Sequence, residues 1–228
     1  KQLEDAAEQK QQFVDNFSHE LRIPLTTIYG YAEYIQKALM SEEERYECTQ
    51  FIMSECSRLQ NMAYQLLDMA LLRKDEMKDS NCSVKELFAK SEKAMYMRAS
   101  EKKIRLTYVF FQNYIVRGNL EQLLILINNL IDNAIKASQQ EDEIRISAYS
   151  EESAIVMEVE DHGIGMEIEQ ISHIKEAFYR IDKARSRAAG GAGLGLAICE
   201  RIIQIHHADM SFISKPGVGT IVKLFFSV

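Results

Sequence analysis

The chain has 228 residues, 46% of them hydrophobic and 27% charged, which is enough for one large domain or two small ones. A net charge of -7 excludes a broad nucleic-acid surface, so any cationic site must be local. The four cysteines (Cys48, Cys56, Cys82 and Cys199) have neither metal-ligand nor disulfide-framework spacing and are expected to be reduced thiols.

No apolar run approaches the roughly 18–20 residues of a membrane span, and no signal peptide is evident. The opening "KQLEDAAEQKQQ" reads as the middle of a helix, so the chain is expected to be a piece of a longer protein. Residues 1 to 75 are predicted to be a helical hairpin. Phe13, Phe17, Leu21, Leu25 and Ile28 recur at three- and four-residue steps. A polar turn follows at Met40–Glu44. In the second helix Ile52, Leu59 and Leu66 are spaced by seven, with Met62 and Met69 between them. One hairpin buries one seam, so a homodimeric four-helix bundle is the economical expectation.

Residues 82 to 228 alternate. A helix is predicted over "SVKELFAKSEKAMYMRAS", strands over "KIRLTYVF" and "YIVRG", and a long helix after Asn119, its candidate cap. "EIRISAYS" and "AIVMEVED" read as a hairpin, "LGLAICERIIQIHH" as a helix, and "DMSFISKPGVGTIVKLFFSV" as a closing hairpin. The whole is an expected α+β sandwich, with helices covering one face of a mostly antiparallel sheet. The charged junction "RKDEMKDSN" is a candidate hinge.

In "FSHELRIPLTTI", His19 lies about 200° around the helix from both Phe17 and Leu21, so it faces outward. It is either an inconsequential surface histidine or a nucleophile. Glu20 beside it could accept a ring proton and leave the other nitrogen to attack. Ile23 rules out the HExxH zinc pattern, and Pro24 removes the hydrogen bond to the Glu20 carbonyl. "NNLIDNAIKAS" sets Asn129, Asn133 and Lys136 on one helix face, opposite Leu126, Leu130 and Ile131. That stripe is either a solvated face or a ligand face, an asparagine oxygen being a suitable magnesium donor.

"EDHGIGM" alone is a common turn. Here Asp161 could accept from an adenine amino group, which guanine does not offer at that position. "AGGAGLGLAI" brings Gly190, Gly191, Gly193 and Gly195 to a helix start, where backbone can approach phosphate. Neither the Walker nor the dinucleotide spacing is present. Between these motifs, Arg180, Lys183, Arg185 and Arg187 form either a solvated loop or a lid over a polyphosphate. His173, His206 and His207 have no partners at useful spacing and read as structural or surface residues.

Taken together, these stretches resemble the catalytic core of bacterial sensor histidine kinases of two-component systems, over nearly the whole chain. "FSHELRIPLTTI" is similar to the H box, "NNLIDNAIKAS" to the N box, "EDHGIGM" to the first glycine box, "IKEAFYRID" to the F box, "GGAGLGLAI" to the second glycine box and "GVGT" to the last. The resemblance implies a dimerisation and histidine-phosphotransfer hairpin followed by an ATP-binding domain of the histidine-kinase/Hsp90-like type. It implies that His19 accepts the γ-phosphoryl group of ATP with help from Glu20, that Asn133 holds Mg2+, and that Asn129 and Lys136 meet phosphates. It further implies that Asp161 reads adenine, with Gly163, Gly165, Arg180, Arg185, Gly191, Gly193, Gly195 and Thr220 completing the nucleotide contacts. A response regulator receiver domain would take the phosphoryl group. The implied location is cytoplasmic, with any membrane anchoring through upstream segments.

Three positions depart from the pattern. Ile23 replaces the usual Thr or Asn, which implies weak phosphatase activity towards the partner, since Ile has neither donor nor acceptor. Lys175 replaces an F-box aromatic, and Ala192 replaces a frequent Thr or Ser. Two other readings compete: an ATPase of the same superfamily that drives dimer closure, and a non-catalytic dimeric scaffold.

Overall fold

The computed structural model describes residues 2–72, 80–181 and 192–227. The chain divides into two compact units. One is residues 1–68 with 177–194, and the other is residues 69–176 with 195–228.

In the first unit, helix α1 spans Gln2–Lys37 and helix α2 spans Glu42–Leu71. The polar turn between them is a reciprocal cap. Glu44 N–H donates to Ser41 Oγ at 3.2 Å, and Ser41 N–H donates to a Glu44 oxygen at 2.7 Å. Those bonds hold the Glu44 carboxyl below its ordinary range. Pro24 sits inside α1 without ending it. Just beyond it, the Thr26 and Thr27 hydroxyls donate to the carbonyls of Arg22 and Ile23, four residues back. Tyr31 stacks on Phe51 at 5.0 Å, and Met62 and Cys48 are buried. Leu25, Tyr64, Leu67 and Leu71 are each more than half exposed, whereas the heptad residues Ile52, Leu59, Leu66 and Met69 are half-buried, so one chain leaves apolar side chains of the hairpin uncovered outside that seam.

The second unit is a five-stranded sheet, order β2-β4-β5-β7-β6, beside a two-stranded β1-β3 ladder. The strands are β1 (Asn81–Ser83), β2 (Arg105–Phe110), β3 (Ile115–Arg117), β4 (Glu143–Glu151), β5 (Ala154–Asp161), β6 (Asp209–Lys215) and β7 (Gly219–Ser227). The helices are α3 (Val84–Glu101), α4 (Leu120–Ala137), a short α5 (Ile168–Ile171) and α6 (Gly195–Ile205). All pairings are antiparallel except β2 with β4. Strand β1, which pairs Cys82 with Val116, is an element the sequence pattern did not reveal.

Caps fix where these helices begin. Asn119 Oδ1 accepts from the Glu121 and Gln122 amides, as expected from the sequence, and Ser83 Oγ accepts from Glu86 N–H. Leu123, Leu126, Ile127, Leu130 and Ile131 of α4 are buried with Ile198 and Ile202 of α6 and with Ile146, Met157 and Leu224 of the sheet. Cys199 belongs to this layer. It is fully buried, its thiol reaches the Leu126 carbonyl at 3.8 Å, and burial pushes the thiol far above its ordinary range. His206 is structural, as read from the sequence. Its Nε2 accepts from Asn119 N–H at 3.1 Å and its Nδ1 donates to the Ile202 carbonyl at 2.8 Å. His173 does have a partner, contrary to the sequence reading: its Nδ1 lies 2.7 Å from Glu176 Oε1, three residues on.

Candidate nucleotide and phospho-acceptor sites

Strand periodicity places Asp161 where it sits. On β5, Met157, Val159 and Asp161 alternate along one face, and the first two belong to the apolar core. Asp161 ends that row as a carboxylate that is 7% exposed. Burial raises its pKa above the ordinary value, opposed by hydrogen bonds from the Gly163 and Thr220 backbone. The Gly163 amide donates to Asp161 Oδ1 at 2.9 Å. A buried carboxylate acceptor is suited to an amino donor.

The loop after Asp161 is tied at both ends. Ile164 N–H bonds the Ala137 carbonyl at the end of α4, and Gly217 N–H bonds the Ile164 carbonyl at 2.7 Å. Two glycines are required for this. A Cβ on Gly163 would meet the Ala137 carbonyl oxygen at 2.6 Å. Gly165 has φ +61, and a Cβ there would lie 2.0 Å from the Lys215 oxygen. Thr220 is buried, and its hydroxyl shares a 2.8 Å bond with Ser214 Oγ. The structure therefore brings Asp161, Gly163, Gly165 and Thr220 into one neighbourhood, against the C-terminal end of the helix that bears Lys136.

On α4, Asn129, Asn133 and Lys136 are half-buried, and Leu126, Leu130 and Ile131 on the opposite side are buried, as expected. Asn129 Nδ2 donates back to the Ile125 carbonyl at 2.9 Å. None of the described residues bonds the Asn133 amide, whose oxygen is therefore open to a ligand. An amide oxygen open in this way fits a magnesium ion that takes one protein oxygen and draws its other ligands from phosphate and water. Lys136 Nζ pairs with Asp132 Oδ2 at 2.8 Å.

Lys102 also acts on α4, although no sequence pattern signals it. Its Nζ donates to the carbonyls of Ile135 and Ser138, both at 2.6 Å, at the helix C-terminus. Lys175, in place of an aromatic, pairs with Glu200 at 3.0 Å and lies 5.9 Å from the Phe212 ring centroid. Ala192 is buried, and Gly195 opens α6.

In the first unit His19 is exposed on α1, as its helical position required. Glu20 next to it accepts from two guanidinium groups on the same oxygen, Oε2. They are Arg58 of α2, at 2.7 Å, and Arg180. The second oxygen retains its acceptor capacity. Arg58 is 4% exposed and was not singled out by sequence. Phe178 packs on Phe13 at 5.2 Å and donates its N–H to the Gly193 carbonyl at 2.8 Å. Arg180, expected at the nucleotide, therefore meets Glu20 in this unit. Arg185 and Gly191 lie outside the described residues, as do Lys183, Arg187 and Gly190.

A helical hairpin with an outward histidine, and a sandwich with a buried acidic residue over glycine turns, define a phospho-acceptor domain joined to a nucleotide-binding domain. Residues 9–74 match the His Kinase A (phospho-acceptor) domain. Residues 118–228 match the histidine kinase-, DNA gyrase B-, and HSP90-like ATPase domain. The chain belongs to the bacterial sensor histidine kinase family. It is 34% identical over 227 residues to the sensor histidine kinase YkoH of Bacillus subtilis, covering 99% of this chain and 49% of that protein. The chain thus spans about half the length of that relative.

Two solved structures share the fold. Histidine kinase ThkA, in complex with response regulator protein TrrA, has a TM-score of 0.77 at 19% identity over 99% of this chain and 66% of that one. Full-length ShkA in complex with AMPPNP has a TM-score of 0.63 at 23% identity over 96% of this chain and 46% of that one.

Proposed function

We propose that this chain is the catalytic core of a protein-histidine kinase. A ring nitrogen of His19 attacks the γ-phosphorus of ATP, the bond to the β-phosphate oxygen breaks, and ADP leaves. The ring proton passes to Glu20 or to water. An aspartate on the receiver domain of a response regulator then takes the phosphoryl group. The observation that carries this reading is the exposed His19 beside a carboxylate, in a chain whose second unit holds a buried Asp161 and an Asn133 amide that no described residue bonds.

Phosphoryl transfer depends mostly on positioning and charge neutralisation. Asp161 selects adenine, Asn129 and Lys136 hold phosphates, and the Gly163, Gly165 and Gly195 backbone gives close approach. Asn133 would hold Mg2+, which supplies charge neutralisation at the phosphates. The ShkA complex with a nucleotide and the ThkA complex with a response regulator support this nucleotide class and this partner class. The exposed Leu25, Tyr64, Leu67 and Leu71 support a homodimer formed through the hairpin. No described helix is long and apolar enough to cross a membrane.

The test is incubation with labelled ATP and Mg2+. Acid-labile, base-stable label should appear on the wild type and be absent from His19→Ala. Label that persists on His19→Ala would refute the assignment.

A further inference from the structure

Asp132 sits on α4 one residue before Asn133 and one turn before Lys136, yet nothing in the nucleotide reading uses it. Its carboxylate is divided between two cations. Lys136 Nζ lies 2.8 Å from Oδ2, and Arg98 Nε, reaching across from α3, lies 2.5 Å from Oδ1. The Asp132 and Lys136 side chains are 18% and 23% exposed, so the pair is partly shielded from water. Arg98 is half exposed.

This arrangement constrains Lys136. To meet a phosphate, its ammonium must leave Asp132, which would then sit as a half-buried carboxylate close to a polyanion. Two like charges in a poorly solvated site repel. Arg98, already on the other oxygen, keeps that carboxylate neutralised when Lys136 departs. Without Arg98, Asp132 has only Lys136 as a counter-ion and both retains it and repels the triphosphate.

We propose that Arg98 is a positioning residue for the nucleotide phosphates: it neutralises Asp132 and thereby releases Lys136. The proposal rests on the reading of Lys136 as a phosphate ligand. It assigns to α3, an element outside every recognised motif, a role in ATP affinity but not in the chemical step.

The experiment is the dependence of autophosphorylation on ATP, with displacement of a fluorescent ATP analogue measured in parallel, on wild type, R98Q, R98K, D132N, R98Q/D132N and K136M. R98Q should raise the KM for ATP about three- to five-fold with kcat within about two-fold, the range expected for a partly exposed charge pair. R98K should restore KM, because it restores the charge. The R98Q/D132N double variant should bind ATP as D132N does, because no carboxylate remains to neutralise. Inhibition by adenosine, which has no phosphate, should be the same in R98Q as in wild type. A general packing defect would weaken both ligands. An unchanged KM in R98Q, or an equal loss of ATP affinity in the D132N background, would overturn the proposal. Wild-type ATP affinity in K136M would instead overturn the phosphate assignment beneath it, so the two failures are distinguishable.

Discussion

Arg58 Nη2 donates to Glu20 Oε2 at 2.7 Å, joining α2 to the residue next to His19. Arg58 is 4% exposed, and its Nη1 lies 3.4 Å from Glu55 Oε2. The pair therefore both fastens the hairpin and fixes the carboxylate beside His19. Arg58→Ala leaves Glu20 with Arg180 as its remaining partner. Its expected cost is about 3 kcal/mol, the low end for breaking a buried pair, read from the urea midpoint. Arg58→Lys should recover only part, since an ammonium lacks the guanidinium fork. An unchanged midpoint in Arg58→Ala would show the pair to be ornamental to folding.

Ile23 stands one turn after His19 on α1 and is half-buried. A branched alkyl group there cannot orient a water on a partner's acyl phosphate. Wild-type protein with ADP should dephosphorylate a phosphorylated receiver domain slowly. Ile23→Thr should accelerate this about ten-fold or more by restoring a hydroxyl. Rapid dephosphorylation by the wild type would sink the idea.

The loop after Asp161 tolerates no side chain at Gly165, where φ is +61 and the Lys215 oxygen would be 2.0 Å from a Cβ. Gly165→Ala should lower stability by about 1–3 kcal/mol and abolish displacement of a fluorescent ATP analogue. Retained nucleotide affinity would mean that the loop can relax without moving Asp161.

Lys102 closes the C-terminus of α4 through two 2.6 Å bonds to main-chain carbonyls. Lys102→Met keeps the length of the stem and removes those donors. The expected loss is about 1–3 kcal/mol, with a weaker affinity for ATP, because the Asp161 loop docks on the same helix end. A thermal melt and a nucleotide titration on one preparation check both.

His206 is held neutral, its pKa lowered from 6.5 by burial. The unfolded chain therefore binds a proton that the folded chain refuses as pH falls below 6.5. Stability contributed by this site is fully present above 6.5 and is lost as pH falls towards the depressed folded value. The melting temperature of wild type should drop between about pH 7.5 and about pH 5 more steeply than that of His206→Gln. Equal slopes would remove His206 as the cause.

Much of this was legible in sequence because it rests on periodicity and local signals. The outward placement of His19, the Asn119 cap, the split of α4 into an apolar side and an Asn129–Asn133–Lys136 side, and both hairpins follow from residue spacing alone. What escaped has a long-range origin. Strand β1 is three residues long and exists only because Tyr114–Arg117 offers it a partner. Arg58 and Lys102 look like ordinary surface cations until folding supplies Glu20 and the end of α4. The pairing of Arg180 with Glu20 joins residues 160 positions apart, which no window of sequence can reveal.

The depth of Cys199 has a practical consequence. Among the cysteines, Cys56 is exposed while Cys199 is enclosed between α4 and α6 with its thiol held protonated. A thiol-directed reagent therefore tags the hairpin at once and reaches Cys199 only when those helices part. The chain thus carries its own stopwatch for the breathing of the layer that supports Asn133 and Lys136, read as the mass the reagent adds to the peptide that bears Cys199.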